Sequence, residues 1–387
     1  MNVRTATAAA LIIAALAGAS PAIAAPLRTA HSCEAARPLD TTALQVAIAG
    51  LLSADVTAAL VRATGPDGCW ESTAGTVDRR TGAAVPQEAR FRIGSVTKVF
   101  TAVVVLQLVA EHRIELDGAV QRYLPGLLAQ GYPTVTVRQL LNHTSGLPSP
   151  VISDESVEYQ VAHRFDSWTP QQYVDAAFKQ EREFDPGTKQ QYRNIGYIIA
   201  GMLIEKVTGN SYEHEVRDRV IRPLRLTGTS VPGDDPGLCG PHVHGYQVMS
   251  DGTLRDVTRW NQSFGWAASA IISTTRDLDV FTEALLGGRL LAPEVQRELF
   301  IVPAVPDVSG KAASYSVALQ RFKLPGVGEV WGKSGSRYGY LAGIGGTVDG
   351  TRRLAYGMTA NDARNGDNPT PITQRIVLAG MTLSARA

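Results

Sequence analysis

Ser95-Val96-Thr97-Lys98 places a hydroxyl and an amine three residues apart at the start of an apolar stretch. On a helix such residues share a face, so the two groups can meet and exchange a proton. The chain's own residue usage strengthens that reading, because it holds thirty arginines and only seven lysines, two of which fall in motifs of this kind. A proton acceptor must lose its proton near neutral pH, which burial can force on lysine but not on guanidinium. The plain alternative is a serine that caps the helix and a lysine that reaches the surface. Two further clusters follow. Tyr192-Arg193-Asn194 precedes an apolar helix predicted from Ile195 to Ile204, and Lys333-Ser334-Gly335-Ser336 follows a predicted strand, Glu329–Gly332. Taken singly, the first is commonly a turn with a structural tyrosine and the second a solvated loop; their force is in the ordered set.

These residues need a frame. Helical periodicity covers residues 41–53, and strands are predicted over 56–64, 68–76 and 89–93, separated by Gly, Pro and Asp turns. From Ser95 to Val109 the chain is apolar nearly all the way round, which predicts a central helix buried between two layers. Residues 115–270 read as mostly helical and loop-rich. Thr169 is an N-cap there, with Pro170 at the first helical position and Gln172 at the third. Thr274 to Asp277 caps another helix. Strand-like runs follow near 314–323, 328–333, 340–348 and 353–360, and a last helix spans 372–383. Strands from both ends of the chain must therefore share one sheet. The expected fold is α/β, an antiparallel sheet flanked by helices, with residues 25–114 and 271–387 in one discontinuous subdomain and 115–270 in a mostly helical second one.

The three clusters, in their order, resemble the signatures of penicillin-binding proteins and serine β-lactamases. Phe91-Arg92-Ile93-Gly94, the run Leu141 to Pro148 (Leu-Asn-His-Thr-Ser-Gly-Leu-Pro), Asp185-Pro186-Gly187 and Ile272-Ser273-Thr274 extend the likeness. They are similar to the branch of class C β-lactamases and Streptomyces-type D-alanyl-D-alanine carboxypeptidases, over about residues 40–385. The resemblance implies a β-lactamase-like fold and acyl-enzyme chemistry. Ser95 attacks a carbonyl, Lys98 and Tyr192 move the proton, and the backbone N–H groups of Ser95 and Ser336 form the oxyanion hole. Asn194 would hold the substrate's amide, and Lys333 with Ser334 its carboxylate. Lys98 and Lys333 would flank Tyr192 and favour its phenolate. The expected substrates are D-alanyl-D-alanine peptides or related amides and esters, with β-lactams as inhibitors or substrates. A D-alanyl-D-alanine carboxypeptidase is the leading reading, beside a β-lactamase, a D-peptidase or amidase, an esterase, and a penicillin-binding sensor without turnover.

The chain also departs from that branch. It has Lys-Ser-Gly where many of the carboxypeptidases have His-Thr-Gly. It has Gln320 where they carry an arginine for the terminal carboxylate, with Arg321 one residue along and facing the other way in a strand. Arg193 inside the second signature should point away from the cleft. His143, at a helix end, reads as structural.

Bulk properties exclude other classes. Thirty-seven basic residues against thirty-six acidic leave no field for nucleic acid. Arg4, the apolar run from Ala8 to Ala17 and the Ala22-Ile23-Ala24 signal predict a removable leader over 1–24, hence a secreted or cell-wall-associated protein with no membrane span. A monomer is expected. No metal or organic cofactor is implied: His242-Val243-His244 lacks a third ligand nearby and reads as loop. Three cysteines allow one internal bridge, and Cys33–Cys69 is favoured because both flank the first helix–strand unit, although any of the three pairings is open on sequence alone.

Overall fold

The computed structural model describes residue 33 and residues 38–50, 56–151, 154–360 and 371–385. The leader over 1–24 lies outside them. Helix α1 is Thr42–Ala49, β1 Val56–Gly65, β2 Gly68–Gly75, β3 Phe91–Arg92 and α2 Thr97–Ala110, the last preceded by a 3-10 turn over Gly94–Val96. The helical stretch comprises α3 (Val120–Tyr123), α4 (Val137–Leu141), α5 (Val157–Ala162), α6 (Pro170–Ala177), α7 (Ile195–Thr208), α8 (Tyr212–Val216) and α9 (Trp266–Ser269). It also contains a small hairpin, β4 (Tyr246–Val248) and β5 (Leu254–Asp256). The chain then runs through β6 (Ile272–Ser273), α10 (Thr275–Leu286), α11 (Pro293–Gln296), β7 (Gln320–Leu324), β8 (Gly328–Arg337), β9 (Tyr340–Gly346), β10 (Arg353–Ala360) and α12 (Pro371–Met381).

The main sheet is antiparallel, in the order β2-β1-β10-β9-β8-β7, so strands from both ends of the chain do share it. One apolar cluster fills one face of the sheet, built from α2, α7 and α10 with Phe91, Trp331 and Ala342. A second, on the other face, joins α1 and α12 to β1 and β10 through Leu44, Ile48, Val61, Leu354 and Ile376. Helix α2 lies inside the first cluster, and Val99, Phe100, Val103, Val104 and Leu106 are completely buried. That explains why its apolar residues run all the way round.

Local signals act where they were legible. Thr169 accepts from the Gln172 N–H while the Gln172 side chain accepts from the Thr169 N–H, a reciprocal cap. Thr274 accepts the Asp277 N–H. Cys33 is bonded to Cys69 (S–S 2.06 Å), which ties the segment before α1 to β2, and Cys239 is free and exposed.

One stretch departs from expectation. The strand predicted over 314–323 begins only at Gln320. The N–H groups of Ser314 and Tyr315 donate to the Gln190 side-chain oxygen (2.9 and 3.0 Å) instead of to a neighbouring strand. The Ser316 N–H closes a turn onto the Leu319 carbonyl at 2.8 Å, with Ala318 at φ 84°. This turn presents Tyr315 to the active-site cleft.

Candidate active site

Ser95 sits in the 3-10 turn that leads into α2, half-buried, while Lys98 is fully buried one turn later. The Lys98 amine donates to Ser95 Oγ (3.0 Å), to Asn194 Oδ1 (2.7 Å) and to the Ala268 carbonyl (2.9 Å). The segment that supplies Ala268 is pinned to α2. Thr101 donates to the Ala267 carbonyl, the Ile271 N–H donates to Thr97, and the Ile93 N–H donates to the Ile271 carbonyl. Both β3, through its pairing with β6, and α2 thus hold the serine turn from two sides.

Strand β8 reaches the same turn. Its pairing with β7 ends at Gly332, so the stretch from Lys333 onward keeps β9 on one side and meets the Gly94–Val96 turn on the other. Two glycines permit the approach. A Cβ on Gly335 would overlap the Ile93 carbonyl oxygen and lie 2.9 Å from the Ser95 nitrogen, and one on Gly94 would lie 2.7 Å from the Ser336 nitrogen. The backbone nitrogens of Ser95 and Ser336 are therefore brought side by side, as two donors to one oxygen would require.

Tyr192 completes the arrangement. Lys98 Nζ lies 5.0 Å from the centre of its ring and Lys333 Nζ 4.6 Å, two amino groups against one phenol. Lys333 is only 3% exposed and donates to the Ser334 carbonyl at 2.8 Å. Ser334 itself borders an apolar cavity of about 420 Å³ beside Gly343 and Tyr356, away from Ser95. Asn194 is engaged by Lys98, so in this structure it orients the lysine. Arg193 points away from the phenol and pairs with Glu183 at 2.7 Å.

The Tyr192 segment is templated by the run after α4. The Leu141 carbonyl accepts from the Tyr197 hydroxyl, Asn142 from the Gln190 side chain, His143 from the Gln191 N–H and Thr144 from the Gly187 N–H, all at 2.8–2.9 Å. The Asp185-Pro186-Gly187 turn feeds this register, with the Thr188 N–H donating to the Asp185 carbonyl.

Two residues in the site were not expected there. His143 packs against Tyr192, with ring centres 4.4 Å apart, and Tyr315 lies 5.2 Å from Tyr192 and 5.7 Å from Lys333 Nζ. His143 falls within a recognisable run but gives no local sign of its contacts. Tyr315 lies in the stretch read as strand, and no signal pointed to it. The His242–His244 pair is elsewhere, stacked in a loop with His244 bonded to Asp256. Among the described residues no cluster of three or more His, Cys, Asp or Glu side chains is arranged to hold a metal.

An antiparallel sheet packed on a buried helix, with a Ser–Lys pair at the helix entrance and a lysine-flanked tyrosine across from it, defines a serine hydrolase that works through an acyl-enzyme. The chain belongs to the Beta-lactamase family, which it matches over residues 51–380. Its fold is similar to a D-stereospecific amidohydrolase from Streptomyces sp. (TM-score 0.76, 37% identity, 89% of this chain and 99% of that one). It is also similar to a D-amino acid amidase from Ochrobactrum anthropi SV3 in complex with D-phenylalanine (TM-score 0.74, 26% identity, 88% and 98%). Penicillin-binding protein 4 of Amycolatopsis lactamdurans is 36% identical over 159 residues, which is 40% of each chain. Protein flp of Staphylococcus aureus is 33% identical over 145 residues, 36% of this chain and 28% of that protein. The alignments thus span about two fifths or less of these curated relatives.

Proposed function

We propose that this protein is an exported amidohydrolase that cleaves amides of D-configured amino acids or short peptides through an acyl-enzyme on Ser95. The Ser95 proton passes to the Lys98 and Tyr192 pair as Oγ bonds to the carbonyl carbon. The resulting oxyanion is held by the Ser95 and Ser336 N–H groups, and the C–N bond breaks as the same pair returns the proton to the departing nitrogen. Water then cleaves the ester by the reverse path. Lys98 and Lys333 at 5.0 and 4.6 Å from the phenol ring stabilise negative charge on Tyr192 during the transfer. The Cys33–Cys69 bond is consistent with export to an oxidising compartment.

The choice of an amide over a terminal D-alanine rests on one observation: on β7, at the position where the similar carboxypeptidases carry an arginine for the terminal carboxylate, this chain has Gln320. Gln320 is bonded to Ser314 at 3.2 Å, and Arg321 borders the shallow cleft of Val302 to Ala313. Lys333 is turned inward against aromatic rings. The likeness to a D-stereospecific amidohydrolase across nearly the whole of that chain supports the D preference.

A side-by-side panel tests the reading, with D- and L-phenylalanine amide, diacetyl-Lys-D-Ala-D-Ala, nitrocefin and a short p-nitrophenyl ester. The D-amide should exceed its L-enantiomer in kcat/KM by about a hundredfold, the discrimination expected from ~3 kcal/mol of differential transition-state binding. It should also exceed the D-Ala-D-Ala peptide. A peptide turned over faster than the amide would restore the carboxypeptidase reading, for which the partial likeness to a penicillin-binding protein speaks. Prompt nitrocefin hydrolysis would indicate a β-lactamase, and a lasting penicilloyl adduct with no product from any substrate a sensor.

A further inference from the structure

We propose that His143 is a positioning residue for Tyr192, holding the phenol between the two lysines by stapling the backbone on both sides of it. The inference rests on the acid–base role given to Tyr192 above. The His143 carbonyl accepts the Gln191 N–H at 2.9 Å, and its ring Nδ1 accepts the Arg193 N–H at 3.3 Å. One residue thus grips the peptide units that precede and follow Tyr192. The imidazole also forms a wall of the phenol's pocket, packed against Tyr192 (4.4 Å), Tyr315 (5.2 Å) and Tyr197 (5.5 Å).

The backbone at this position carries the same message. His143 has φ 64°, in the left-handed region that most side chains avoid, and it is 4% exposed. A buried residue kept in that conformation is maintained by the structure around it, and such strain gathers at functional sites. The strain is matched by the line of carbonyls from Leu141 to Thr144, all occupied by the Tyr192 segment.

Charge state follows from geometry. An Nδ1 that accepts an N–H leaves the ring proton on Nε2. The charged and titratable groups facing the ring are Lys98, Lys333, Tyr192, Tyr197 and Tyr315, so protonation would add a third cation to the pocket and break the bond to Arg193. Burial first, then Lys98 and Lys333, hold its pKa well below the usual histidine value, which favours the neutral form that the bond from the Arg193 N–H requires.

The test compares His143→Gly, which relieves the backbone and removes the ring, with His143→Asn, which tolerates this φ and keeps an acceptor near the position of Nδ1. The Gly variant should lose more than about tenfold in kcat, as expected for a misplaced proton-transfer group, with KM within about threefold. The acidic limb of its kcat/KM profile should move to higher pH by about half a unit or more, because a phenol less closely held between two cations ionises less readily. The Asn variant should recover to within about fivefold of the parent and restore the limb. If the Gly variant does not fold, His143→Leu, which fills the ring's volume without an acceptor, takes its place. A kcat within tenfold of the parent, a loss with an unmoved limb, or an Asn variant no better than Gly would overturn the proposal. Ser95→Ala run in parallel separates the two levels. Persisting hydrolysis there removes the underlying reading, whereas a dead Ser95→Ala beside unaffected His143 variants removes only the role of His143.

Discussion

Ser95→Ala is expected to abolish covalent adduct formation with penicillin and to reduce amide turnover by about 10⁵-fold or more, the scale on which removal of a nucleophile acts. Its melting temperature should change by only a few degrees. The substitution deletes one hydroxyl, which accepts a single bond from Lys98, and Lys98 retains Asn194 and the Ala268 carbonyl. A hydrogen bond of this kind contributes about 1 kcal/mol. The half-buried position also leaves little cavity behind a missing oxygen. Intact-mass measurement after exposure to penicillin reads the first effect and calorimetry the second. An adduct on the Ala variant, or hydrolysis within a hundredfold of the parent, would remove Ser95 from the mechanism.

Residues that carry chemistry were the most legible part of this chain, because proton transfer demands particular side chains at spacings that a helix turn or a strand end imposes. Ser95 and Lys98 needed only the helix period to meet, and Thr169 with Gln172 only the local rule for a helix start. What stayed hidden depends on partners far along the chain. Gln190 draws the N–H groups of Ser314 and Tyr315 across more than a hundred residues, and so turns a stretch with strand character into a loop that brings Tyr315 to the cleft. Nothing local indicates that Lys98 will donate to the Asn194 oxygen, a bond that engages one end of the amide. His143 stands in the same light. Its position after a helix suggested a structural imidazole, and only the tertiary register between residues 141–144 and 187–197 puts its ring against Tyr192.

Lys98→Arg should be nearly as damaging as loss of the serine, with acylation slowed by at least about 10³-fold, equivalent to ~4 kcal/mol of barrier. As an ammonium, Lys98 satisfies three acceptors with three protons. As a neutral amine, it keeps two of those bonds and turns its lone pair to Ser95, so the proton can cross with almost no movement of heavy atoms. A guanidinium has no accessible neutral form, and its planar fork cannot reproduce the tetrahedral set of contacts. Position 98 is also fully buried, so the larger head group will cost stability. The pH dependence of acylation separates the two effects. In the parent the rate should climb as the amine and phenol lose their shared proton, whereas in the Arg variant it should stay low between about pH 6 and 10, where arginine remains charged. An Arg variant that acylates within tenfold of the parent, with the same pH profile, would show that the proton leaves Ser95 by another route, with Tyr192 the remaining acceptor in the pocket.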